Sequence, residues 1–368
     1  MKTRSLFLAL LTLGILSWSC NKSEDSLSSS TPMQTTALKS SINTNVQQLK
    51  SAVSAITSSA GYKLIAGDAA LRGTTASALD TTSILLANIS GEYDYKATPF
   101  KRGFINLTRY FNRSADNALM IVRLPEEKVK NYGTLLMNRP GDDSLKNNYV
   151  VKVSDYNYTY SRSYGYDYKM ASNINIKDVN AGDLKIQSAW RPKLGSYTYA
   201  SEFAFDNGYL TKVSYATGDT AVSTYAISKD GKTLYEEKYT TIKTVGSARH
   251  KERDFSLTIG DIQIVRQLGV KNSLDSAKVY VAGVLQTSAK VAIVDVTNSS
   301  TTDVTESTVV NKKRELQITF DDGTTSTISQ LAGTAITDIS SLFTSLRQAY
   351  FSTNVVDWVA WDVYWNKK

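Results

Sequence analysis

Polar and apolar residues alternate through the middle of this chain, and short turn sequences interrupt the alternation at regular intervals. Between residues 197 and 245, three such turns separate four alternating runs. The turns read Asp206-Asn207-Gly208, Gly218-Asp219 and Lys229-Asp230-Gly231-Lys232. Asn-Gly and Asp-Gly favour tight hairpins, because both central residues of a type I′ turn need a positive φ. The pattern predicts an antiparallel meander of at least four strands.

Similar alternation continues on both sides of this stretch and marks residues 90–331 as one antiparallel β body. Further runs cover residues 255–265, 278–286 and 290–296, and a last pair, 315–320 and 324–331, flanks Asp321-Asp322-Gly323. No long amphipathic helix separates these runs, which argues against a body built from parallel β-α-β units. The 22 tyrosines suit strands with one wet face. The body is therefore expected to form a large curved sheet, a sandwich or a barrel.

Apolar residues repeat with a helical period at both ends of this body, which predicts an α+β fold with an N-terminal and a C-terminal helix. Within a helical segment at residues 37–89, an apolar stripe has spacings of three and four residues. The stripe consists of Leu38, Ile42, Val46, Leu49, Val53 and Ile56. It fits either a coiled-coil seam or a helix lying on the protein's own sheet, and its short length favours the second. Residues 62–89 fit further short helices.

Residues 332–368 form a C-terminal segment that is helical and aromatic. Its first apolar face is predicted to be a helix with Thr337 or Asp338 as the N-cap. That face consists of Ile339, Leu342, Phe343, Leu346 and Tyr350. Residues 355–365 are rich in Val and Trp. We expect a second helix there after a cap at Thr353, with a strand as the alternative.

The beginning of the chain has the features of an exported protein. Lys2 and Arg4 precede an apolar segment at residues 6–16. A segment of this length is too short to span a hydrocarbon core of about 30 Å, but it suits the core of a signal peptide. Cys20, the only cysteine of the chain, follows shortly after, and a polar stretch comes next. This arrangement resembles the lipobox of bacterial lipoproteins.

The resemblance implies that cleavage leaves Cys20 as the acylated first residue of the mature chain. Residues 1–19 are then a lipoprotein signal peptide, and residues 20–36 are a flexible tether. Ser17 and Trp18 depart from the family pattern, which has Leu three positions before the cysteine and then a small residue. An ordinary secretory signal cleaved near Ser19 is the alternative, but it would leave an unpaired thiol, which is unusual in a secreted protein.

A lipidated N-terminus implies that the membrane itself is a partner and that the protein is anchored at the outer membrane. The polar stretch at residues 21–25 resembles the acidic export signal of some surface-displayed lipoproteins, which favours the cell surface over the periplasmic face. A solvated tether would have the same composition. The 42 Lys and Arg against 34 Asp and Glu are spread along the chain, and no basic-aromatic motif indicates nucleic acid.

The reactive side chains predict a protein that is not an enzyme and takes no cofactor. His250 is the single histidine, so neither a Cys/His metal site nor a Ser-His-Asp triad is expected. Glycoside hydrolysis by paired carboxylates is the remaining route to catalysis. The adjacent pairs Glu236-Glu237 and Asp142-Asp143 would point to opposite faces of a strand, which separates their carboxylates. We therefore assign no catalytic residue and no metal ligand.

The most unusual local feature is a ladder of tyrosines in two short alternating runs. Its members are Tyr156, Tyr158, Tyr160, Tyr164, Tyr166 and Tyr168. If Ser161-Arg162-Ser163 turns the chain, all six rings lie on one face of two antiparallel strands. Such a face could stack on sugar rings, which makes the six tyrosines candidate ligand-binding residues. Cross-strand aromatic packing is the structural alternative.

These patterns together favour a non-catalytic, membrane-anchored cell-envelope lipoprotein that binds a glycan or an envelope protein in adhesion. A periplasm-facing β-barrel that carries a lipid or another small molecule is the first alternative, and a carboxylate-dependent glycoside hydrolase is the second. The glycan-binding hypothesis predicts an exposed tyrosine face, whereas the barrel hypothesis predicts an enclosed apolar cavity.

Overall fold

A computed structural model of the chain describes residues 31–65, 81–96, 110–130, 142–243, 250–268, 277–297 and 312–366. The expected signal peptide, Cys20 and most of the expected tether lie outside the described residues. So do the side chain of His250 and residues 66–80 of the expected helical segment.

Seven helices lie in the described ranges: α1 (Thr35–Ser58), α2 (Ala60–Ile65), α3 (Leu86–Ile89), α4 (Glu126–Lys130), α5 (Ile328–Ala332), α6 (Ala335–Ser345) and α7 (Arg347–Asn366). The first strands in the same ranges are β1 (Thr81–Leu85), β2 (Gly91–Tyr95), β3 (Phe111–Ala115), β4 (Met120–Leu124), β5 (Tyr149–Ser161), β6 (Gly165–Ile176), β7 (Val179–Arg191), β8 (Ser196–Ala204) and β9 (Tyr209–Thr217). The remaining strands are β10 (Thr220–Lys229), β11 (Lys232–Lys243), β12 (His250–Ile259), β13 (Ile262–Leu268), β14 (Lys278–Val281), β15 (Val284–Leu285), β16 (Ala289–Thr297), β17 (Lys312–Phe320) and β18 (Thr325–Thr327).

The main sheet contains fifteen strands, and its order follows the chain from β4 to β15 with antiparallel neighbours throughout. Beyond β4 the order is β2 and then β3, and β2 pairs with β4 in the one parallel contact between described strands. β1 pairs with the far half of β5. Among the described strands the path has two ends, β15 and β3, so the sheet does not close. β16, β17 and β18 form a second, three-stranded sheet.

This arrangement confirms the predicted α+β fold with a mainly antiparallel meander. The four runs between residues 197 and 245 are the strands β8 to β11, joined by turns at the predicted positions. Gly208 and Gly231 have positive φ in two of these turns. The sequence signal was strong here because a hairpin needs only local contacts and a turn residue that tolerates positive φ.

Four predictions for individual segments before the C-terminal region were wrong. The run 278–286 is a hairpin of β14 and β15. Residues 81–85, expected to be helical, form strand β1, since the buried Thr82 and Ile84 alternate with exposed neighbours beside β5. The run 255–265 is a hairpin of β12 and β13 around Gly260, whose φ is +57°. Residues 328–331, expected to continue a strand, begin helix α5. The hydroxyl of Thr327 caps that helix by accepting a hydrogen bond from the backbone N–H of Gln330 at 3.1 Å.

The apolar stripe of α1 lies on the protein's own sheet, which is the arrangement that the sequence favoured over a coiled-coil seam. All six stripe residues are buried. α1 packs against β11, β12 and β13 and against the helices α5 and α6. We call the face of the main sheet that these helices cover the inner face. None of the helices in the described residues is long and apolar enough to cross a membrane.

The C-terminal segment is helical, but its helices begin earlier than predicted. α6 starts at Ala335 after Thr334, whose side chain forms no capping hydrogen bond. Thr353 lies inside α7 and donates its hydroxyl to the carbonyl of Tyr350 at 2.7 Å, so it is not a cap. Val355, Val356, Val359 and Ala360 are buried in the core. Their burial fixes α7 on the inner face.

Candidate functional site

The predicted tyrosine hairpin exists, with its turn at residues 162–164. Tyr158 lies opposite Tyr168 and Tyr160 lies opposite Tyr166 across β5 and β6. Tyr156 lies on the same inner face, because alternate residues of a strand share a face and the pairing of β5 with β6 is regular from Asp155 to Ser161.

Tyr164 contradicts the prediction that all six rings share one face. It lies in the turn, its side chain is 72% exposed, and the ammonium group of Lys193 lies 5.3 Å from its ring centre. Strand β6 begins at Gly165. Tyr164 therefore precedes the strand and does not share the alternation that places side chains on the inner face.

Helix α7 covers much of the tyrosine ladder. The sequence predicted an exposed tyrosine face, and this part of it is covered instead. Tyr156 is 2% exposed. The ring of Trp361 on α7 meets the ring of Tyr158 edge-on, with their centres 5.1 Å apart. This part of the ladder therefore fits the structural alternative, in which the tyrosines hold neighbouring elements together.

Asp357 of α7 is the polar centre of this contact. The hydroxyls of Tyr156 and Tyr168 both donate to its Oδ1, at 3.0 and 2.9 Å. Burial raises the pKa of Asp357 from 3.8 to about 7, although the two hydroxyl donors oppose this shift. Its remaining accessible surface faces a cavity of about 360 Å³ between α7 and the strands β5 to β8. The carboxyl is thus half-buried, with one side open to the cavity.

A second cavity of about 680 Å³ lies beside the first, under α6 and over the strands β8 to β11. Both cavities are lined by Tyr199 and Tyr350. The carboxylate of Glu237 lines the second cavity and accepts hydrogen bonds from two tyrosines, Tyr235 at Oε2 (3.1 Å) and Tyr239 at Oε1. We call the two cavities together the tyrosine cleft.

The environment of Glu237 is aromatic as well as polar. Tyr225 lies opposite Glu237 on β10, and its ring meets the ring of Phe343 on α6 at 5.6 Å between centres. Desolvation by burial is the main cause that raises the pKa of the Tyr235 hydroxyl, and the charge of the nearby Glu237 raises it further. The tyrosine hydroxyls here are therefore neutral hydrogen-bond donors at physiological pH.

Aromatic side chains continue beyond the helices along the inner face and are partly exposed there. Trp190, Tyr215 and Tyr239 are 38%, 41% and 42% exposed. Tyr166 and Tyr197, which also line the first cavity, connect Trp190 and Tyr215 to the cleft, whereas Tyr239 is connected to it by its hydrogen bond to Glu237. The ring centres of Tyr166 and Trp190 are 6.4 Å apart, and those of Tyr197 and Tyr215 are 6.1 Å apart. We call these five residues the aromatic row.

Cross-strand register builds the row. Trp190 pairs with Tyr166 on one side and Tyr197 on the other. Gly165 permits the tight start of β6, since a Cβ at this position would lie 1.8 Å from the carbonyl oxygen of Trp190. Strand neighbours are about 4.8 Å apart, so side chains on one face of successive strands form a continuous surface.

No protein-family model, curated protein or solved structure matches this chain. Function is therefore inferred from the chemistry and geometry of the site itself. Within the described ranges, no three His, Cys, Asp or Glu side chains come together as they would to hold a metal ion.

The carboxylates of Glu236 and Glu237 do not form a catalytic couple. Glu237 faces the cleft, and Glu236 points to the opposite face of β11, as strand geometry requires. Asp142 lies in a short 3-10 turn instead of a strand, and its carboxylate pairs with the buried ammonium of Lys128 at 2.5 Å. The side chain of Asp143 lies outside the described residues.

Sequence reasoning missed Trp190, Tyr197, Tyr215, Glu237 and Asp357 as members of one site. The four strand residues lie on the inward phase of alternating runs, which was a usable signal. Their proximity depends on the register of the five successive strands β7 to β11. The position of Asp357 depends on how α7 docks. Neither can be read from local spacing.

Proposed function

We propose that this protein is a lipid-anchored component of the cell envelope that binds a glycan along the aromatic row and in the tyrosine cleft. The observation that carries the proposal is the partly exposed row of five aromatic rings leading into a cleft with hydroxyl and carboxylate groups. Aromatic faces suit the apolar faces of sugar rings, and a few fixed polar groups suit their hydroxyls. Binding without catalysis is proposed.

The character of the cleft favours a glycan over an apolar lipid. Its lining includes Asp357, Glu237, Ser188 and Asn354, together with several tyrosine hydroxyls. A lipid chain would displace water from these polar groups and offer them no hydrogen bonds, at a cost in binding free energy. The unclosed path of the described strands also gives no support to the barrel hypothesis.

The direct test is retention on insoluble polysaccharides, with Trp190→Ala and Tyr215→Ala as the test variants. Aromatic anchors of a binding site commonly contribute enough that their truncation lowers affinity about tenfold or more. Tyr164→Ala is the matched control, since it removes an exposed tyrosine that lies outside the row. Unchanged retention of both test variants would contradict the proposal. Release of new reducing ends from a bound polysaccharide would contradict binding without catalysis.

The anchor has its own test. Wild-type protein should incorporate palmitate and stay with the outer membrane, whereas Cys20→Ser should do neither, because three acyl chains make detachment unfavourable. Protease treatment of intact cells should then degrade the protein if it is displayed at the surface. A Cys20→Ser form that fractionates like wild type would remove the basis for the proposed location.

A further inference from the structure

The tyrosine cleft carries negative charge in a chain that is basic overall. Its lining residues include two carboxyl groups, Asp357 and Glu237, and no lysine, arginine or histidine among the described side chains. The whole chain has 42 Lys and Arg against 34 Asp and Glu. The two carboxyl groups are thus held in the cleft without a basic side chain in its lining. Because the pKa of Asp357 is raised to about 7, this group is largely protonated below neutral pH, and Glu237 supplies the negative charge that would attract a bound cation.

Glu237 is the stronger candidate for contact with a cation. Each of its carboxylate oxygens accepts one tyrosine hydroxyl, and each oxygen can accept a second hydrogen bond. In Asp357, by contrast, the same oxygen, Oδ1, accepts the hydrogen bonds of both tyrosines. The two tyrosines also orient the Glu237 carboxylate in advance, which reduces the entropy lost on binding.

The walls around Glu237 suit a cation as well. Tyr225, Phe343 and Tyr199 line the same cavity. Aromatic faces attract cations through the ring quadrupole, and the attraction grows where water is excluded. Carboxylate and aromatic faces together are complementary to a protonated amine, whereas the hydroxyls of a neutral sugar would use only the hydrogen-bonding part of this chemistry.

We propose that the cavity around Glu237 binds a protonated amine, so that the ligand is a glycan with unacetylated amino sugars. The identity of the ligand as a glycan rests on the proposed function. The amine preference rests separately on the charge and aromatic walls of this cavity.

The test compares two ligands that differ only in the amine. Purified full-length lipoprotein in detergent is titrated calorimetrically with glucosamine oligosaccharides and with N-acetylglucosamine oligosaccharides of the same length at pH 6. We expect the free-amine ligand to bind at least tenfold more tightly. Glu237→Gln should abolish this difference. The matched control Glu236→Gln changes the neighbouring residue on the opposite face of β11 and should preserve it.

The outcomes separate this inference from the proposed function. Equal binding of both oligosaccharides by wild type would overturn the amine preference and leave the glycan proposal standing. Amine-dependent binding that Glu237→Gln removes, but that Trp190→Ala and Tyr215→Ala leave intact, would support the amine site and contradict the row. Absence of binding to either ligand overturns the amine inference. If the Glu237→Gln variant does not fold, the preference of the wild type for the free-amine oligosaccharide is instead measured at increasing pH, which deprotonates the amine and should remove the preference. A preference that persists would overturn the inference.

Discussion

The buried carboxyl of Asp357 makes a quantitative prediction about stability and pH. Its pKa is raised from 3.8 to about 7 in the folded protein, so the native state binds this proton more tightly than the unfolded chain does. The resulting stabilisation is fully present below pH 3.8 and is lost as pH rises through 7. At 1.36 kcal/mol per pKa unit, the shift corresponds to at most about 4 kcal/mol. Because the group faces a cavity that water can enter, we treat this value as a ceiling.

The perturbation that isolates this effect is Asp357→Asn. Asparagine has almost the same shape, and its amide oxygen can accept the hydroxyls of Tyr156 and Tyr168, but it carries no titratable proton. Linkage between pH 8 and pH 5 predicts that wild type gains about 2–3 kcal/mol of unfolding free energy relative to the variant. At pH 8 the variant should be at least as stable as wild type.

The assay is urea unfolding of wild type and Asp357→Asn at pH 5, 6, 7 and 8, with the difference between the two proteins taken at each pH. Taking the difference cancels groups that titrate in both proteins. Asp338→Asn is a suitable control, because this residue lies in the first turn of α6 and lines neither cavity. Parallel stability curves for wild type and Asp357→Asn would refute the raised pKa of this carboxyl.

Three further changes should affect stability. Lys128→Ala removes a buried ammonium that pairs with Asp142, and should cost about 3 kcal/mol in urea unfolding because a nearly buried carboxylate loses this ion pair. Trp361→Ala should cost about 2 kcal/mol by the same measurement, since it removes the ring that packs on Tyr158, and loosening of α7 should appear as faster amide exchange in that helix. Thr327→Ala should cost about 1 kcal/mol by removing the cap of α5, whereas Thr327→Ser, which keeps the hydroxyl, should cost less.

Local sequence signals were reliable where the structure depends on local contacts. The hairpins from β8 to β11 follow from alternation and from turn residues that accept positive φ. α1 follows from its apolar stripe. The errors lay where two signals compete within a few residues. At Thr327, β-branched residues favour a strand, but the hydroxyl of a capping threonine starts a helix.

The candidate site shows the same division. Alternation placed Tyr158, Tyr166 and Tyr168 on one face, and the structure agrees. It could not predict that α7 would lie on Tyr156, since the docking of a helix is decided by the complete apolar surface that it buries. The exposed rings instead occur where the described helices leave the inner face uncovered, at Trp190 and Tyr215.

The sequence by itself determined the strand periodicity, most turns and the amphipathic helix, because these depend on residues only a few positions apart. The proposed lipid anchor at Cys20 also rests on the sequence alone. Only the tertiary structure decided which side chains meet, since that depends on the register of six strands and on the docking of α6 and α7. The physical reason is that Glu237 and Asp357, far apart in the chain, reach one cleft through packing that no local pattern encodes.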